Sequence, residues 1–82
     1  MTSVVRIGPD WWRVVESPLE EEPGLCGLCD YENKTIFIRD DLGKTDQNYT
    51  LAHEITHAVF PDLGEDAVLR MEFALRSSKL FG

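Results

Sequence analysis

No stretch of this chain approaches the roughly 18 apolar residues that a membrane-crossing helix needs, which excludes a spanning segment. Its beginning lacks the apolar core of a secretory signal, so a soluble, cytoplasmic protein is expected. Cationic side chains are few: eight Lys and Arg stand against fifteen Asp and Glu, a net charge of −7. Non-specific binding to nucleic acid relies on cations neutralising phosphates, so neither nucleic acid nor membrane is an expected partner. Cysteine occurs only twice, and in a reducing cytosol no disulfide is expected. The chain is also short. Its 82 residues read as one domain, 1–82, burying only about 60–65% of the extended-chain surface. Such a domain is marginal without a staple, and a bound metal is one kind of staple. A hydrophobic content of 43% still argues against wholesale disorder.

Histidine is the other scarce residue, and both copies fall in His53-Glu54-Ile55-Thr56-His57. Whether they meet depends on a helix, and the pattern predicts one over residues 46–60. Thr45 or Asp46 can cap it, since a short side-chain oxygen accepts from an orphaned backbone N–H. Leu51, Ile55, Ala58 and Val59 recur at helical spacing as an apolar stripe, and Pro61 ends the run at Phe60. Residues four apart share a helix face with Cβ atoms about 5–6 Å apart. Two imidazoles so placed converge on one metal ion, and both point away from the stripe that anchors the helix. Glu54 projects to one side, within reach of a water on that metal without being a ligand. This is the spacing of a zinc metalloprotease, with two histidine ligands and a glutamate general base.

A catalytic zinc site needs a third protein ligand and keeps one position open. With no further histidine, the candidates are acids and thiols. Glu65 stands just past the Pro61-Asp62-Leu63-Gly64 link that folds a second helix back, over about residues 64–78. It is the first choice, against its alternative as a carboxylate favoured by the helix dipole. Glu72 lies on the same edge of that helix and is held in reserve; so is Asp66, which projects well away. Gly64, Ala67, Val68, Met71, Ala74 and Leu75 form the helix's apolar face.

Upstream, Val4 to Ser17 is strand-like around a Gly8-Pro9-Asp10 turn. Adjacent Trp11 and Trp12 point to opposite faces of a strand, so one covers the core and the other is partly exposed. Glu20-Glu21-Glu22, between Pro18 and Pro23, reads as a solvated loop. Residues 25–29, a polar turn, and Thr35 to Arg39 read as a β-hairpin, with Ile36 and Ile38 on one face. The expected fold is therefore α+β. A small antiparallel sheet, made of an N-terminal strand plus the hairpin, packs against the motif helix and a C-terminal helix. A competing arrangement uses Cys26 and Cys29 with His53 and His57 as a closed structural Cys₂His₂ zinc site. It leaves Glu54 without a task, and positions 26 and 29 of a strand project to opposite faces unless the strand bends at Gly27.

The strand Thr35 to Ile38, a short loop and then Thr50-Leu51-Ala52 leading into the motif resemble the compact zincin-like peptidases of the ImmA/IrrE type. SprT-like and small phage-type His-Glu-x-x-His proteins look similar. The resemblance covers roughly residues 27–75, and Glu65-Asp66-Ala67-Val68 matches the helix start that carries the third ligand in such gluzincin-like proteins. Thr56 stands where the ImmA/IrrE pattern usually has glycine. What the resemblance implies is a minimal zincin-like core that binds Zn²⁺ through His53, His57 and Glu65. Glu54 would be the catalytic base of a metallopeptidase. It further implies a peptide or protein substrate bound extended along an edge strand, here Ile36 to Arg39. Tyr49 or Tyr31 is the candidate for stabilising the oxyanion.

Overall fold

A computed structural model describes residues 2–78. Its elements, in chain order, are β1 (Thr2–Ile7), β2 (Asp10–Ser17), β3 (Gly27–Asp30), β4 (Thr35–Arg39), α1 (Lys44–Val59) and α2 (Glu65–Ser77). Gly8, at a φ of +61°, makes the tight turn between β1 and β2, a conformation that costs glycine little. The N-terminal region is thus a hairpin rather than a single strand.

The sheet order is β1-β2-β4-β3, and this corrects the all-antiparallel expectation. The β1/β2 and β3/β4 pairs are antiparallel, but β2 and β4 run parallel, from Arg13 beside Thr35 to Ser17 beside Arg39. The reason lies in residues 18–26. This connection leaves β2 at Ser17 and enters β3 at the same end of the sheet, two strand positions away, which leaves a gap of one strand. The tight turn after β3 then sends β4 back into the gap. Arg39 holds the connection in place: its guanidinium donates to the carbonyls of Pro18 (3.0 Å), Glu22 (2.9 Å) and Leu25 (2.8 Å). The acidic loop is therefore shaped through its backbone, and Glu20, Glu21 and Glu22 remain exposed.

A second correction follows from the strand order. Ile36–Arg39 belongs to an interior strand, so it offers no free edge; the edge on that side is β3.

Strand periodicity sets the core. Val5, Ile7, Trp12, Val14, Cys29, Ile36 and Ile38 share one face of the sheet, with Ile36 and Ile38 almost fully buried. Leu51, Ile55 and Ala58 bring α1 down onto that face, and α2 packs chiefly against α1. Trp12 is buried while Trp11 is 62% exposed, as alternation requires. Along α2, Val68 is fully buried, whereas Gly64 and Ala74 of the expected apolar face are exposed. Helix α1 starts at Lys44, two residues before the expected start at 46, with Gly43 rather than Thr45 or Asp46 at the cap position. The Gly43 carbonyl accepts from Gln47 N–H at 2.9 Å, and no side chain caps the end. Asp46 is thereby left free for a different bond. Among the described residues no helix is long and apolar enough to cross a membrane.

Candidate metal centre

The two helices run antiparallel and meet along a polar seam. Asp46, His53 and His57 on α1 face Arg76, Glu72 and Glu65 on α2. Seven residues separate Asp46 from His53 and Glu65 from Glu72, two helical turns each, which keeps them on one stripe.

At the open end of the seam three donors converge. Glu65 Oε1 lies 2.7 Å from His53 Nε2 and 2.9 Å from His57 Nε2. The imidazole centroids are 4.9 Å apart. These three residues form a group that could hold a metal ion. Their ligand atoms all lie within 4.8 Å of one another, and bonds of about 2.0–2.1 Å in a tetrahedron put donor atoms about 3.3 Å apart. The donor chemistry also fits. A carboxylate can only accept, yet both nitrogens of His53 face one, because Nδ1 lies 2.9 Å from Glu72 Oε1. A neutral imidazole has one N–H, so the second carboxylate calls for a proton or a cation on that side. A cation at Nε2 with a proton at Nδ1 satisfies every partner.

The acids around this point separate into different tasks. Glu65 is the ligand candidate; its hydrogen bonds to His57 and then His53 hold its carboxyl below the ordinary range, against some desolvation. Glu72 does not join the ligand set but braces the far side of His53. Its other oxygen accepts from Arg76 Nε at 2.8 Å, and Arg76 Nη1 donates to Asp46 at 3.0 Å. Asp66 is exposed and is not part of the group. Glu54 is 92% buried beside the histidines without being one of the three. Burial pushes its carboxyl up, outweighing the pull of His53 and His57.

A cleft of about 300 Å³ opens over these groups, walled on the other side by Leu25, Cys26 and Gly27 at the start of β3. Gly27 makes the close approach possible. A Cβ there would lie 2.7 Å from Thr50 Cγ2 and 3.1 Å from both Cγ and Oε2 of Glu54. The sequence signal for this was the glycine itself, inside an otherwise apolar strand. Thr56, the non-glycine position of the motif, turns its hydroxyl back to donate to the Ala52 carbonyl at 2.8 Å, so it takes no space in the cleft.

The cysteines do not join the histidines. Cys29 points into the core and Cys26 is exposed ahead of the strand, so among the described residues no Cys₂His₂ cluster forms. Both tyrosine hydroxyls are taken up by backbone carbonyls. The Tyr31 hydroxyl donates to the His57 carbonyl (3.0 Å), and the Tyr49 hydroxyl to the Leu75 carbonyl (3.4 Å).

Comparison with known families adds an independent observation. The family model described as Peptidase_M78, the IrrE N-terminal-like domain, matches residues 12–75, from β2 through most of α2. No curated protein and no solved structure matches the chain.

Proposed function

The chain belongs to the IrrE N-terminal-like peptidase family, and from that premise we propose that it is a zinc-dependent metallopeptidase. His53, His57 and Glu65 hold the ion and Glu54 is the general base. The observation that carries this reading is the meeting of three N and O donors at one point, with a buried carboxylate beside them that is not among them. Three protein ligands and one open position are the pattern of catalytic zinc, whereas structural zinc is closed by four. When bound, the ion supplies Lewis acidity, lowering the pKa of a coordinated water towards about 7 and polarising the scissile carbonyl.

The chain's own groups supply the rest. Glu54 takes the proton from the attacking water on a carboxylate oxygen and returns it to the leaving amine nitrogen. Its raised carboxyl suits that exchange, because a base works best with a pKa near the working pH. Glu65, kept anionic by the histidines, stays available as a ligand. The substrate is a peptide or protein segment lying extended along the free edge of β3, held by main-chain hydrogen bonds. Two free cysteines accord with a reducing, cytoplasmic setting.

Zinc content and cleavage of a mixed-sequence peptide library, measured on wild type and Glu54→Gln, test this. The variant should keep its zinc and lose about 10²–10⁴-fold in rate, the size of a general-base effect. A wild type that binds zinc but cleaves nothing would make the chain a catalytically silent scaffold. Loss of zinc from Glu54→Gln would make Glu54 a ligand or a fold determinant.

A further inference from the structure

A ligand's orientation is only as firm as whatever holds its other side. The His53 ring turns about its own side-chain torsion unless Nδ1 is fixed, and Glu72 Oε1 fixes it at 2.9 Å. Glu72 is itself a flexible side chain. What restrains it is Arg76, one helical turn further along α2, through Nε on Oε2 at 2.8 Å. Arg76 is restrained in turn from α1: Nη1 donates to Asp46 at 3.0 Å, and its guanidinium lies 4.5 Å over the Tyr49 ring. Asp46, Tyr49 and His53 thus present three successive grips on α1, two of which Arg76 takes directly and the third through Glu72.

We propose that Arg76 is a positioning residue for the metal centre: acting through Glu72, it sets the orientation of His53 and so the affinity for the ion. The planar fork of arginine suits this task, because one guanidinium reaches two carboxylates along fixed directions while stacking on a ring. A lysine ammonium is a point charge and supplies neither the second direction nor the stack. The consequence is physical coupling between the docking of the two helix ends, at Asp46 and Arg76, and the ligand set near the other end of the seam. Glu65 meets the same ring from the Nε2 side, at 2.7 Å, and is not a link in this line.

The inference rests on the zinc reading above, and the two fail differently. Zinc affinity is measured by competition with a chromophoric chelator for wild type, Glu72→Gln, Arg76→Ala, Arg76→Lys and the double variant Glu72→Gln/Arg76→Ala. Circular dichroism of each metal-free protein reports whether it is folded. Loss of a partner behind a ligand histidine typically costs 10–100-fold in affinity, so Glu72→Gln should fall in that range and Arg76→Ala by about tenfold. Arg76→Lys should stay close to Arg76→Ala. The double variant should bind no more weakly than Glu72→Gln alone, since Arg76 then has nothing left to act through. The ¹⁵N shifts of His53 in the zinc-loaded wild type should show Nδ1 protonated. Affinity within twofold of wild type in a folded Arg76→Ala overturns the proposal, and so do losses that multiply in the double variant. If Arg76→Ala does not fold, Asp46→Asn decides: a loss of affinity is expected, and none overturns it. A wild type that takes up no zinc sinks the metallopeptidase reading together with this one, whereas zinc uptake indifferent to Arg76 sinks this one alone.

Discussion

Residue by residue, the site is a set of like groups driven apart by their surroundings. Burial raises Glu54, while histidine hydrogen bonds lower Glu65, a difference in the direction that the proposed roles of base and ligand require. The motif residues were legible from spacing, because only a helix brings positions 53 and 57 together and the pattern predicted one. Glu65 was legible from the Pro-Gly link before it. Glu72 was placed on the correct edge, but helical projection cannot say which nitrogen of a ring a carboxylate will meet. Cys29 shows the same effect of environment away from the centre. Desolvation pushes its thiol from 9.0 up to about 11, so at neutral pH it carries almost no thiolate. Iodoacetamide should leave Cys29 of the folded protein unmodified at pH 7–8, with labelling by mass spectrometry rising only as pH approaches that value. Because the folded pKa is the higher one, the folded state retains a proton that the unfolded state releases. Stability should therefore fall as pH climbs from about 9 towards 11. Rapid labelling of Cys29 at pH 7 would contradict the burial that the fold gives it.

At the scale of the elements, β3 passes close to α1 at Gly27. With Thr50 Cγ2 only 2.7 Å from where a Cβ would sit, Gly27→Ala forces the Thr50 side chain, the strand or the helix to shift. Overpacking of this kind costs about 1–3 kcal/mol. Chemical denaturation should show that loss, and adding Thr50→Ser, which removes the methyl, should restore part of it. An unchanged midpoint for Gly27→Ala would mean that the strand does not lie so close. Hairpins and helices were readable because their signals are local: a Gly-Pro turn, alternating apolar residues, a stripe at helical spacing. The parallel pairing of β2 with β4 was not, since it joins segments separated by the 18–26 loop and is held by Arg39 on backbone carbonyls. Nothing in the loop's own composition, which reads as acidic and solvated, announces an arginine beneath it. The start of α1 was misplaced for a related reason: Asp46 has the chemistry of a cap but is drawn to Arg76 instead.

At the scale of the molecule, α1 lies on the sheet while α2 rests mainly on α1, through Val68 and the polar seam. An ion shared by His53 and His57 from α1 and Glu65 from α2 would fasten the least supported layer to the rest. Free zinc at one hundred times its dissociation constant stabilises a folded state by about 2.7 kcal/mol. For a domain of this size each kcal/mol shifts Tm by about 4–8 °C, so zinc should raise the melting temperature by roughly 10–20 °C and a chelator should reverse it. Hydrogen exchange should slow most in α2. A zinc-insensitive Tm would remove the staple from the description of the fold. The most direct measurement is the zinc stoichiometry of wild type beside Glu65→Gln, His57→Ala and Cys29→Ser, each checked for folding. One ion per chain in wild type, retained by Cys29→Ser and lost from the other two, is the expected result. Zinc that departs with the cysteine and stays with Glu65→Gln would contradict a centre built from His53, His57 and Glu65.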